Sequence, residues 1–169
     1  DGVMCEAMRF AKILESRFGI SREMTADFFT ERFPLSLTGH EDILNSIAEF
    51  LPSWGWTGSP SDFLSLWFHS EKELRPEMIA LVGRIKNLGL ITGLATNQEP
   101  RRATFLKSEM DFEGVFDFFF ISSELGAMKP QSEFYEIVTH RLGLMPEEIL
   151  FIDDEYRYLV PANAIGWAT

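Results

Sequence analysis

The chain has 169 residues, 26 acidic against 15 basic, and so a formal net charge of −11 with 46% hydrophobic and 24% charged residues. That hydrophobic content supports a packed core in one domain, or one domain with an insertion, and the acidic balance argues against nucleic-acid binding, which needs clustered Lys and Arg on phosphates. A single cysteine, Cys5, excludes an internal disulfide framework and fits a reducing, cytoplasmic compartment, while no apolar run reaches the roughly 18 residues of a membrane span and no signal-peptide pattern is present.

In chain order, Asp1-Gly2-Val3 reads as the exit of a strand, and the pattern from there to Arg75 is helical. Phe10, Ile13, Leu14 and Phe18 recur at helical spacing, with Gly19 as the stop. Ser21 is placed to cap a second helix carrying Met24, Phe28 and Phe29. Thr38 and Glu41 match a capping box, with His40 inside it, ahead of Ile43, Leu44, Ile47, Phe50 and Leu51, and Pro52 ends that helix. A turn-rich stretch, 53–60, leads to a fourth helix with Phe63, Leu64, Trp67 and Phe68. Four short amphipathic helices predict a small helical bundle.

Past Pro76 strands alternate with helices. Met78, Leu81, Val82, Ile85 and Leu88 form one helix face, closed by Gly89. Residues 90–95 read as a buried strand, 101–109 as a helix, 116–121 as an aromatic strand and 131–142 as a helix capped by Gly143. Residues 149–152 read as a third strand and 159–165 as a last helix. Strands separated by helices predict an α/β fold with a parallel sheet, whose ligands sit at the carboxyl ends of the strands.

The residues just past each strand are therefore the candidates for chemistry. The strand ends carry Thr96-Asn97, then Ser122-Ser123 with Lys129-Pro130 shortly after, then Asp153-Asp154, and Asp1. Each has an ordinary explanation alone: a helix N-cap for Thr96, a solvated loop for Lys129, a helix-dipole partner for the acidic pair. Adjacent carboxylates repel, however, which favours a cation beside them. Together a hydroxyl, an ammonium and three carboxylates suit phosphoryl transfer. Oxygen ligands hold Mg²⁺, and the ammonium and hydroxyl neutralise and orient phosphoryl oxygens.

The order Asp1-Gly2-Val3, Leu94-Ala95-Thr96-Asn97, Met128-Lys129-Pro130 and Phe151-Ile152-Asp153-Asp154 resembles the four motifs of the haloacid dehalogenase-like (HAD) hydrolase superfamily. The stretches 122–130 and 162–167 resemble the surroundings of the third and fourth motifs. The resemblance implies a Rossmann-like parallel-sheet core, residues 1–4 and 76–169, with an inserted helical cap, residues 5–75. It implies a Mg²⁺-dependent phosphatase acting through an aspartyl-phosphate on a small phosphorylated metabolite, sugar phosphates among the candidates. By the same resemblance Asp1 is the general acid and base and offers its carbonyl to Mg²⁺. Thr96, Asn97 through its backbone, and Lys129 bind the phosphoryl group, and Lys129 also restrains the nucleophile. Asp154 is the direct metal ligand, with Asp153 beside it or acting through water.

Two departures stand out. The resemblance puts the nucleophilic Asp two residues before Asp1, on a strand outside these 169 residues, and the otherwise complete site favours such a strand over a chain that cannot turn over. Tyr158 stands where many relatives have Asn.

Asp1 favours a phosphatase over a dehalogenase, since dehalogenases attack carbon, need no metal and generally lack that second Asp. A phospho-receiver domain is disfavoured because its acidic pair follows the first strand, whereas here it comes last. An inactive binding protein of the same fold, a mutase and a phosphonatase are the other readings; a phosphonatase would want a cap amine, for which Lys12 and Lys72 are the candidates. Of the cap residues, Trp67 is expected in the core, Trp54 and Trp56 in a loop open to a substrate or partner, and His69 at a helix end. Arg9 and Arg17 are the cap cations that could steer an anionic substrate.

Overall fold

The helical periodicity of the first half is realised in five α-helices and one π-helical turn in the computed structural model, which describes residues 2–5 and 9–169. Helix α1 (Arg9–Phe18) buries Phe10 and Leu14 and ends at Gly19, whose φ of +68° suits glycine. Ser21 caps α2 (Arg22–Asp27) by accepting from Met24 N. Its helix then passes through a π turn (Phe28–Arg32) into α3 (Phe33–Leu37), so the predicted second helix is longer and irregular. Helix α4 spans Ile43–Ala48, and α5 spans Pro60–Ser70.

The capping box expected at Thr38 and Glu41 does not form. The Thr38 hydroxyl donates back to Pro34 O at 3.1 Å and meets His40 Nδ1 at 2.8 Å, and Glu41 pairs with Arg32 at 2.9 Å. Asp42 caps α4 instead, accepting from Leu44 N at 2.9 Å. A true capping box opens α5. Ser59 Oγ accepts from Asp62 N at 3.1 Å, and Asp62 Oδ2 accepts from Ser59 N at 2.9 Å.

The helices close on an aromatic cluster. Phe28 and Phe63 are fully buried, each contributing roughly 1.5–3 kcal/mol by leaving water. Trp54 is 4% exposed and packs edge-on against Phe28, so it is core and not an open loop side chain. Trp56 is half-buried, edge-on to Phe63, with its indole N–H on Ser59 O at 3.1 Å. Trp67 stacks on Phe10 within the same cluster, and His69 sits in the last turn of α5.

The second half begins with α6 (Pro76–Asn87) and continues β1 (Gly93–Thr96), α7 (Pro100–Ser108), β2 (Phe118–Ile121), α8 (Ser122–Leu125), α9 (Ser132–Leu142) and α10 (Tyr156–Ala164). Strands β1 and β2 pair in parallel, Gly93 opposite Phe118 through Thr96 opposite Ile121. The strand predicted at 149–152 is reduced to a single parallel bridge, Leu150 to Ala168. There Phe151 N donates to Ala168 O at 2.8 Å and Ala168 N to Ile149 O at 2.9 Å. Neither β1 nor the 149–152 stretch pairs with a strand on the side where they face each other, among the described residues. A cavity of about 800 Å³ lies between them, with Leu90, Ile91, Leu150 and Ile152 along its walls. These four side chains are more than half exposed, and the apolar run at 149–152 stays a lone bridge because, among the described residues, its backbone pairs only with Ala168. Behind β2 and the 149–152 stretch, Phe120, Phe134, Tyr135, Phe151 and Trp167 form a second apolar cluster.

Asp117 ties the start of β1 to β2. Its Oδ2 accepts from Thr92 N and Oγ1, both at 2.9 Å, and its Oδ1 meets Lys86 Nζ at 2.8 Å. The Lys86 ammonium and the two Thr92 donors pull its pKa down to about 2. A carboxyl depressed below the unfolded value of about 3.9 stabilises the fold above that pH and loses its contribution as pH falls toward 2. Thermal melts of the Asp117→Asn variant should therefore fall less steeply between pH 4 and 2 than those of the parent. Parallel acid dependences would show that Asp117 does not carry this linkage.

Candidate active site

The carboxyl end of β1 is built by bonds from its own loop. Thr96 is 6% exposed, and its Oγ1 accepts from Gln98 Nε2 at 3.4 Å. Gln98 N donates to Ser122 Oγ at 3.0 Å, and that hydroxyl donates back to Gln98 O, which joins the ends of β1 and β2. Glu99 caps α7, accepting from Arg101 N at 2.8 Å and Arg102 N at 2.5 Å. Burial holds the Glu99 carboxyl above the usual carboxylate range in spite of those two bonds. Arg101 reaches across to Asp42 with two bonds, 2.9 and 2.6 Å, and Arg102 donates to Phe68 O and Glu71 O, so α7 is pinned to the preceding helices.

Asn97 and Lys129 are locked together. Asn97 Nδ2 donates to Lys129 O at 2.8 Å, and Lys129 N donates to Asn97 Oδ1 at 2.9 Å. The side chain of Lys129, 6% exposed, then runs to Ala95 O at 3.1 Å and Asp153 Oδ2 at 2.5 Å. Burial lowers the Lys129 pKa, with the Asp153 carboxylate opposing that shift. Asp153 is itself 8% exposed at its side chain, and its Oδ1 accepts from Glu155 N at 3.0 Å. A desolvated ammonium and carboxylate at this distance is a strong local field, because little water screens it.

Asp154 projects differently. It is exposed, and a Cβ added to Gly2 would lie 2.1 Å from Asp154 Oδ2, so the carboxylate lies directly against the Gly2 backbone. Gly2, Thr96, Asn97, Lys129, Asp153 and Asp154 all line the one cavity, at the carboxyl ends of β1 and the 149–152 stretch. Asp1 lies outside the described residues.

Among the described residues no group of three or more His, Cys, Asp and Glu converges in a metal-binding cluster. The oxygens present nonetheless suit a hard cation. No hydrogen bond engages the Asp154 carboxylate among the described residues, and Asp153 adds a second carboxylate next to it. Sequence reasoning missed the side-chain clamp of Asn97, expected to act through its backbone. It also missed the rings of Phe151 and Tyr158, 5.3 and 4.8 Å from Lys129 Nζ at their centroids. Direction of side chains decides both, and spacing does not encode it.

Comparison with known proteins adds a family match, two curated relatives and a solved structure. A family model described as haloacid dehalogenase-like hydrolase matches residues 35–166. The chain is 33% identical over 96 residues to a sesquiterpene phosphatase of Aspergillus oryzae, covering 55% of this chain and 48% of that one. It is 30% identical over 93 residues to a phosphoglycolate phosphatase of Salmonella choleraesuis, covering 55% of this chain and 37% of the relative. The chain spans less than half the length of the curated relatives it matches, from 18% to 48%. Among solved structures, a HAD family enzyme of Bacteroides thetaiotaomicron, in complex with magnesium and inorganic phosphate, superposes with a TM-score of 0.82 at 18% identity. That match covers 99% of this chain and 88% of the other, and it establishes a common fold. No helix among the described residues is long and apolar enough to cross a membrane.

Proposed function

This chain belongs to the haloacid dehalogenase-like hydrolase family, and we propose that it is a Mg²⁺-dependent phosphatase acting on a small phosphorylated metabolite. The observation that carries the reading is the meeting of Thr96, Asn97, Lys129 and the acidic pair at one cavity mouth. The phosphatases among its relatives support it further.

In this reading Thr96 and the Asn97 backbone hold phosphoryl oxygens, and Lys129 neutralises charge as it develops on them. Asp154, with Asp153, holds Mg²⁺, which when bound supplies a further counter-charge to the phosphoryl group. The nucleophile is a carboxylate on a strand that fills the slot between β1 and the 149–152 stretch, two residues ahead of Asp1. It attacks phosphorus, the bond to the leaving oxygen breaks, and Asp1 gives that oxygen its proton. Water then attacks the aspartyl-phosphate while Asp1 takes the proton back, and inorganic phosphate leaves with the nucleophile restored. Residues 5–75 form the cap that closes over a core of residues 1–4 and 76–169 and excludes water.

The test is hydrolysis of an aryl phosphate by the full-length protein. We expect turnover that disappears with chelator and returns with Mg²⁺. Turnover indifferent to chelator would remove the metal assignment. Halide release from a 2-haloacid with no phosphate release would replace the phosphatase reading with a dehalogenase.

A further inference from the structure

Lys129 is held by oxygens and by rings. An ammonium has three N–H donors, and Ala95 O and Asp153 Oδ2 accept two of them. The Tyr158 ring centroid lies 4.8 Å from Nζ and that of Phe151 5.3 Å, both within cation–π range. Tyr158 is anchored at its hydroxyl and at its backbone by contacts that do not involve Lys129. Its hydroxyl accepts from Arg157 Nη2 at 3.1 Å, and its backbone carbonyl accepts from Tyr135 Oη at 2.7 Å. The Arg157 guanidinium also packs on this ring, 4.8 Å from its centroid.

A ring face attracts a cation without taking one of its donors. We infer that Tyr158 is a positioning residue for Lys129, its ring holding the ammonium in place while leaving the third N–H for a phosphoryl oxygen; this rests on the phosphatase reading above. Phe151, buried beneath the same ammonium, completes the aromatic wall.

Ring electrostatics can be separated from ring shape. In the full-length protein, position 158 is filled with phenylalanine, then with its difluoro and trifluoro analogues, and kcat is measured on an aryl phosphate with saturating Mg²⁺. These rings share a shape, and fluorine drains charge from their faces. With the Tyr158→Phe variant as reference, kcat should fall stepwise along the series, by about 3- to 30-fold at the trifluoro ring. A Tyr158→Leu variant should lose a similar amount. A flat series in an active enzyme would overturn the inference, because a merely structural ring predicts it. A parent protein without Mg²⁺-dependent turnover would instead sink the phosphatase reading, and this inference with it.

Discussion

A Lys129→Met variant is expected to lose about 10²- to 10³-fold in kcat on an aryl phosphate, the usual cost of removing one preorganised group that meets transition-state charge. The size of the effect follows from burial. Lys129 is 6% exposed, so its ammonium acts where water screens little, unlike a lysine on a solvated loop. The substitution also strands Asp153, whose side chain is 8% exposed and loses its cation. Breaking a buried pair from one side costs about 3–5 kcal/mol, whereas neutralising both partners costs far less. The double variant Lys129→Met, Asp153→Asn should therefore regain most of the lost thermal stability while remaining inactive. Recovery of stability without activity separates the charge that folds the site from the charge that works in it. Activity of Lys129→Met within about threefold of the parent, the result a solvated-loop lysine gives, would remove Lys129 from the mechanism.

The residues that build this site differ in how visible they are in the sequence. The ends of β1 and β2 are legible because an apolar run stops at a hydroxyl or amide that the next helix can use, and Thr96 and Ser122 sit there. Lys129 and the acidic pair are legible only through their order along the chain. The clamp between Asn97 and Lys129 joins side chain to backbone over 32 residues, and no local pattern announces it. The capping box at Thr38 fails for a related reason: His40 and Arg32 compete for the two side chains, and competition depends on the fold. The box at Ser59 uses Asp62 in place of the usual Glu or Gln, so it lies hidden in a stretch that reads as turn. At 149–152 a continuous apolar run signals a strand. Leu150 and Ile152 face the cavity, however, and no described strand meets them there. An apolar pattern reports what a segment is suited to bury, not what covers it.

Gly2 sets the other large expectation, because it acts on the proposed Mg²⁺ site through space alone. Its φ is +49°, and an added Cβ would meet Asp154 Oδ2 at 2.1 Å and Cγ at 2.2 Å. The first feature costs an alanine about 1–2 kcal/mol. The second cannot be tolerated in place, so something must move, and the exposed carboxylate of Asp154 moves more easily than backbone. Gly2→Ala should thus fold with a modest loss of stability yet displace the proposed metal ligand. We expect the Mg²⁺ concentration for half-maximal activity to rise by about 10- to 100-fold, the range for losing the support of a ligand. Asp154→Ala, which removes the ligand itself, should abolish Mg²⁺-dependent turnover. If Gly2 acts only through Asp154, adding Gly2→Ala to Asp154→Ala changes residual activity no further, since neighbours that share one mechanism are not additive. A further loss in the double variant would mean that Gly2 matters for its other neighbour, Asp1, and an unchanged Mg²⁺ requirement in Gly2→Ala would mean that the metal does not sit where Asp154 meets the Gly2 backbone.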